Sequence, residues 1–113
     1  ILLLDNYDSY TFNLAHLIAE VAGREPLVVA AGEAEGLAER VRAGEFSHVV
    51  ISPGPGTPER EEDFGAARAI ITAAAAAEIP VLGVCLGHQG LGLLAGAQVS
   101  RAPQPRHGFV STI

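Results

Sequence analysis

The sequence predicts an α/β domain built on an open, mostly parallel sheet with helices on both faces. Three observations carry that expectation. Short apolar runs recur along the chain, each closed by a polar residue or by glycine and proline. Between them lie stretches in which apolar residues fall at helical spacing. Strand and helix then alternate at the interval of βαβ units, which join parallel strands by crossover helices.

The first run, Ile1-Leu2-Leu3-Leu4, is continuous and ends at Asp5, as a strand buried on both faces would. Leu14, Leu17, Ile18 and Val21 then stand at i, i+3, i+4 and i+7, one stripe of an amphipathic helix that Gly23 and Pro26 should end. Leu27-Val28-Val29 is the second strand. Ala34, Leu37, Ala38 and Val41 repeat the helical spacing, and His48–Ile51 form the third strand. The segment Ser52-Pro53-Gly54-Pro55-Gly56-Thr57-Pro58 is too rich in proline and glycine to continue either element. Asp63 is the expected N-cap of the next helix, whose stripe is Ala67, Ile70, Ile71 and Ala74. A fourth strand, Pro80–Val84, leads into Cys85. A short helix from His88 to Ala95 follows, then weaker extended stretches at Ala97–Arg101 and Phe109–Ile113.

Length and composition bound the function. The 113 residues amount to one domain, 49% hydrophobic and 18% charged. No apolar run approaches the ~18 residues that span a bilayer, and the N-terminus lacks the pattern of a signal peptide. The expected setting is the cytoplasm, with no membrane partner. A net charge of −6 argues against a nucleic-acid partner, which would need a basic stripe. One cysteine excludes a disulfide framework or a multi-cysteine metal site within the chain, and no metal site is expected. The chain opens on one apolar run and stops at Ile113 inside another, so it is expected to be a piece of a longer protein.

In open parallel sheets, ligands bind beyond the carboxyl ends of the strands. Asp5–Asp8, Ser52–Pro58 and Cys85 all fall there. Cys85 lies in Gly83-Val84-Cys85-Leu86-Gly87, the spacing of a nucleophile turn with sulfur in place of oxygen. A sharp strand-to-helix turn crowds backbone on backbone, so residues two positions either side must lack side chains. The helix behind it aims its N-terminus at the sulfur and leaves the Leu86 N–H free for a developing oxyanion. The plainer alternative is a small buried hydrophobe, the usual state of a lone cysteine. The Pro53–Gly56 loop also has two readings. It is an ordinary rigid turn, or it presents backbone N–H groups as a second oxyanion donor. It is not a phosphate loop: the G-K-[ST] ending is missing and the chain has no lysine.

No histidine stands out as a general base. His16 and His48 fall on structural positions. His88 is three residues past Cys85, where the first turn of the helix points away from a substrate. His107 lies in a loop of undefined role. Asp8 and Glu61–Asp63 read as a turn and a solvated helix start. Gln89, one helical turn beyond Cys85, can reach a ligand over the sulfur.

Together these segments resemble the triad (class I) glutamine amidotransferases, which have a flavodoxin-like fold. The similarity is to the branch serving chorismate-using synthases, the glutaminase components of aminodeoxychorismate and anthranilate synthases. Asp5–Leu14 resembles that branch's N-terminal signature and Ser52–Pro58 its oxyanion loop. Gly83–Gln89 resembles its nucleophile motif, and His107-Gly108 with Ser111 its H-G-x-x-S stretch. The resemblance implies that Cys85 attacks the glutamine carbonyl, releasing ammonia and leaving a glutamyl thioester. It implies an oxyanion hole from Leu86 and Gly54, and L-glutamine held by Gly54, Pro55, Gly56 and Gln89. The family's base and orienting carboxylate, a His-x-Glu pair, would lie further along than Ile113. A chain of residues 1–113 would then be an incomplete glutaminase domain and inactive alone.

The implied partner is a chorismate-binding synthase domain or subunit, fused or separate. That partner would use Mg, with no cofactor in this domain. Thr57–Gly65 and Arg101–Gly108 resemble aminodeoxychorismate synthases more than anthranilate synthases. Two alternatives remain open at this stage: a non-catalytic flavodoxin-like domain with a redox-sensing or structural Cys85, and an amidotransferase-like regulator without glutaminase activity.

Overall fold

The computed structural model describes residues 1–7, 11–55 and 60–96, with the backbone alone at 61–63. Four strands form one parallel sheet: β1 (Leu2–Asp5), β2 (Leu27–Ala30), β3 (Val49–Ile51) and β4 (Val81–Gly83), in the order β2-β1-β3-β4. The helices are α1 (Thr11–Ala22), α2 (Leu37–Arg42), α3 (Glu61–Ala76) and α4 (Leu86–Leu94), with a single 3-10 turn at Ala31–Glu33. The expected α/β architecture is therefore present. Ala97–Arg101 and Phe109–Ile113 lie outside the described residues.

The register explains which residues make the core. Alternate β residues point to opposite faces. Leu2, Leu4, Val49 and Ile51 face α2, α3 and α4 and are buried with Leu37, Val41, Phe64, Ile70 and Leu86. Full burial of each such aliphatic side chain contributes about 1.5–3 kcal/mol. The α3 stripe read from the sequence, Ala67, Ile70, Ile71 and Ala74, is buried throughout. Gly23 ends α1 as expected, at φ 77°, with its N–H donating to the Ala19 carbonyl at 2.9 Å.

The opposite face differs from the sequence expectation. One row across it runs Val28–Leu3–Val50–Leu82 by register. Leu3 is 0% exposed but Leu82 is 59% exposed. On α1, Leu17 and Val21 stand exposed although they belong to its apolar stripe. Between α1 and strands β3 and β4 runs a groove of about 460 Å³, lined by Leu14, Leu17, Ile18, Val21, Val50 and Leu82 among others. Among the described residues, the centre of this face (Leu3 and Val50) is buried and both its ends (Val28 and Leu82) are exposed.

Two boundaries are also corrected. Helix α3 begins at Glu61 with Arg60 as its extended N-cap residue, so Asp63 lies inside the helix. Three consecutive acidic residues suit the positive end of a helix, and the first turn takes them in. Helix α4 begins at Leu86, two residues before His88, which makes Cys85 itself the N-cap residue. No described helix is long and apolar enough to cross a membrane.

Candidate active site

The strand order reverses between β1 and β3, so the crevice beyond their carboxyl ends is the switch point of the sheet. Chain leaving β1 passes through Asn6 and Tyr7. Chain leaving β3 passes through Ser52, Pro53 and Gly54. Cys85 follows β4, the neighbour of β3.

Cys85 is exposed, which removes the buried-hydrophobe reading. It stands at φ 51°, ψ −106°, between β4 and α4. A side-chain-bearing residue there is strained by roughly 1–3 kcal/mol, and the surroundings enforce it. The Val84 N–H donates to the Ile51 carbonyl at 3.0 Å, locking the turn to β3. The Gly87 N–H donates to the Val84 carbonyl at 3.0 Å, and the Gln89 N–H to the Cys85 carbonyl at 2.8 Å. The flanking glycines meet each other: a Cβ on Gly83 would collide with the Gly87 carbonyl carbon and lie 2.6 Å from the His88 nitrogen. A Cβ on Gly87 would lie 2.6 Å from the Ile51 carbonyl oxygen. The crowding inferred from the G-x-C-x-G spacing is thus a set of particular contacts.

Leu86 opens α4 with its side chain in the core, so its N–H is one of the orphan donors at a helix start. Gln89 is exposed one turn further along. His88 is exposed on the first turn, and among the described residues it makes no hydrogen bond to the Cys85 sulfur. His16 and His48 are exposed, the first midway along α1 and the second just before β3, at the opposite end of that strand.

The Pro-Gly loop is anchored by a pair of buried polar residues. The Asn6 N–H donates to Ser52 Oγ at 2.8 Å, and Asn6 Nδ2 donates to the Ser52 carbonyl at 3.2 Å. The Ser52 hydroxyl in turn donates to the Pro53 carbonyl at 2.7 Å. Asn6 and Ser52 are 3% and 0% exposed. Gly54 passes so close to β1 that a Cβ there would collide with the Asn6 carbonyl oxygen and lie 2.6 Å from the Asn6 Cβ. Pro55 is exposed beyond it. Gly56, together with Asp8 and His107, lies outside the described residues.

Sequence reasoning placed Asp5–Asp8 at a strand end but missed what these residues do. Asp5 Oδ1 accepts from the Tyr7 N–H at 2.9 Å and from Thr11 Oγ1 at 2.7 Å, joining β1 to the start of α1. Tyr7 sits at φ 64°, and its hydroxyl accepts from the Gly32 N–H at 2.6 Å. The available signal was polar residues directly after two apolar runs whose parallel pairing the sequence already implied.

A family model, glutamine amidotransferase class-I, matches residues 2–113. The chain belongs to the class-I glutamine amidotransferase family. It is 50% identical over 112 residues to an aminodeoxychorismate synthase of Streptomyces griseus, covering 99% of this chain and 15% of that protein. It is 47% identical over 113 residues to anthranilate synthase component 2 of Mycobacterium tuberculosis, covering 100% of this chain and 47% of that protein. With anthranilate synthase component 2 of Saccharolobus solfataricus the identity is 41%, over 99% of this chain and 55% of the relative. The chain therefore spans about half the length of the component 2 relatives and a smaller part of the synthase. Cys85 thus stands exposed in a strained turn that is tied through Val84 to β3, the strand that runs on into Ser52 and Gly54.

Proposed function

We propose that this chain is the glutaminase part of a chorismate-using synthase, hydrolysing L-glutamine and supplying ammonia to a synthase domain or subunit. The observation that carries the reading is the exposed, strained Cys85 locked to the end of β3, the strand that leads into the Pro53–Gly54 turn. In this reaction the Cys85 sulfur, as thiolate, adds to the side-chain amide carbon of glutamine. The carbonyl electron pair moves onto oxygen, and the Leu86 and Gly54 N–H groups donate hydrogen bonds to that oxyanion. Collapse expels the amide nitrogen, which takes up a proton and leaves as ammonia. Water then adds to the thioester, the sulfur departs, and glutamate is released.

Gly54, Pro55, Gly56 and Gln89 hold the glutamine in this reading. The proton carrier is the His-x-Glu pair that family resemblance places beyond Ile113, so residues 1–113 alone are inactive. Nothing in this thioester route requires a metal within the chain, and a Mg requirement belongs to the synthase partner. The setting is cytoplasmic. Between the two synthases we favour aminodeoxychorismate synthase, supported by the resemblance of residues 57–65 and 101–108.

The test uses the full-length protein. A glutamine-like chloroketone should label Cys85 alone, located by peptide mass, and excess glutamine should protect it. Labelling that glutamine does not slow would contradict the reading and favour a redox or structural thiol. Supplied with glutamine and chorismate, the complete enzyme should form aminodeoxychorismate; anthranilate as the product would reverse the preferred choice.

A further inference from the structure

We infer that Asn6 is a positioning residue for the oxyanion loop, acting through Ser52 to set where the Gly54 N–H points. The inference rests on the glutaminase reading above and extends it to a residue outside the nucleophile turn.

The two ends of the Asn6 amide are used unequally. Its Nδ2 donates to the Ser52 carbonyl, while its Oδ1 is buried and has no partner among the described residues. Burying an acceptor without a donor is unfavourable, and native proteins rarely do so. An apolar side chain of similar size would avoid that cost. What the amide supplies in return is a second attachment between β1 and the loop, alongside the bond from the Asn6 N–H to Ser52 Oγ. Ser52 is held on both sides by this residue. Its hydroxyl, having accepted from Asn6, donates onward to the Pro53 carbonyl and fixes the peptide before Gly54.

Position in the fold makes the pair consequential. Asn6 and Ser52 are the residues immediately beyond β1 and β3, at the switch point of the sheet. The Ser52 N–H still donates to the Leu4 carbonyl at 3.1 Å, so the ladder ends at Ser52 and the loop begins there. Gly54 then packs on the Asn6 backbone with no room for a Cβ. On the other side, Cys85 is referenced to the same strand through the bond from the Val84 N–H to Ile51. Nucleophile and loop thus share β3 as a common datum, and the Asn6–Ser52 pair fixes the loop's angle against it. Proline at 53 and 55 stiffens the loop but leaves its tilt to be set at Ser52.

The experiment compares two reactions of Cys85 in the full-length protein. Alkylation by iodoacetamide displaces iodide and develops no oxyanion, whereas acylation by glutamine does. Asn6→Ala should lower kcat for glutamine hydrolysis roughly 10–100-fold, the scale of a misplaced donor. KM should change less than about 3-fold and the iodoacetamide rate less than about 2-fold. Asn6→Asp, which keeps the volume but turns an oxygen toward the Ser52 carbonyl, should do the same. Ser52→Ala should also lower kcat, and the double variant should fall no further than the worse single one. Should Asn6→Ala not fold, Ser52→Ala carries the prediction alone.

An unchanged ratio of acylation to alkylation in any folded variant overturns the inference, as does an equal loss of both rates. Failure of the underlying reading is separable: it would appear as glutamine hydrolysis that survives Cys85→Ser. Loss of activity in Cys85→Ser with full activity in Asn6→Ala would leave that reading intact and remove Asn6 from the machinery.

Discussion

At Gly87 a single methyl group would meet the Ile51 carbonyl oxygen at 2.6 Å, and neither backbone can yield without opening the bond that ties Val84 to β3. Gly87→Ala should therefore cost about 1–3 kcal/mol in stability, read from denaturant unfolding. An unchanged midpoint would contradict the crowding account. Cys85 presents the opposite case. Its φ of 51° with ψ −106° is a conformation that glycine adopts freely. Cys85→Gly should raise stability by about 1 kcal/mol while removing the proposed nucleophile, since the strain is not needed by the fold. A lower unfolding midpoint in that variant would show the turn is not strained. Much of this was legible in the sequence because the contacts are local: Gly83 and Gly87 lie four residues apart, and their spacing announces the turn. The Gly54–Asn6 contact spans 48 residues and depends on the register of β1 against β3. No local pattern encodes it, so the Asn6–Ser52 pair is not legible in the sequence.

Among the elements, the buried stripe of α3 followed from periodicity because its surroundings are complete: α2, α4 and the sheet enclose it. The start of the same helix did not. Asp63 reads as a capping residue by type, yet the helix takes in the whole acidic run and its N-cap, Arg60, lies three positions earlier. Helix α1 shows what ties an element to a strand. Thr11 is 1% exposed and donates to Asp5 Oδ1, which also holds the turn at Tyr7. Thr11→Ala should destabilise the protein by about 1–2 kcal/mol, because the half-buried Asp5 carboxylate loses a donor. Thermal unfolding of the variant checks this, and a change within error would mean that water replaces the hydroxyl at no cost.

On the scale of the whole molecule, one face of the sheet is fully packed among the described residues and the other carries exposed apolar side chains. The row Val28–Leu3–Val50–Leu82 is buried at its centre and exposed at its ends, and the apolar groove beside α1 continues the exposed surface along Leu17 and Val21. Apolar surface of that kind drives association. Residues 1–113 expressed alone should self-associate with rising concentration in sedimentation experiments, and Leu82→Glu with Val21→Glu should reduce it. A monomer at all concentrations would contradict this. At the carboxyl ends of the strands, the chain leaves β1, β3 and β4 at neighbouring positions of the sheet, and the family match covers residues 2–113. In the proposed function, Cys85 generates ammonia from glutamine for a second reaction. The most direct measurement is synthesis by full-length Cys85→Ser protein with its synthase partner, driven by glutamine or by ammonium. Glutamine-driven synthesis should vanish and ammonium-driven synthesis should persist at the wild-type rate; equal loss of both would make Cys85 structural and contradict the account.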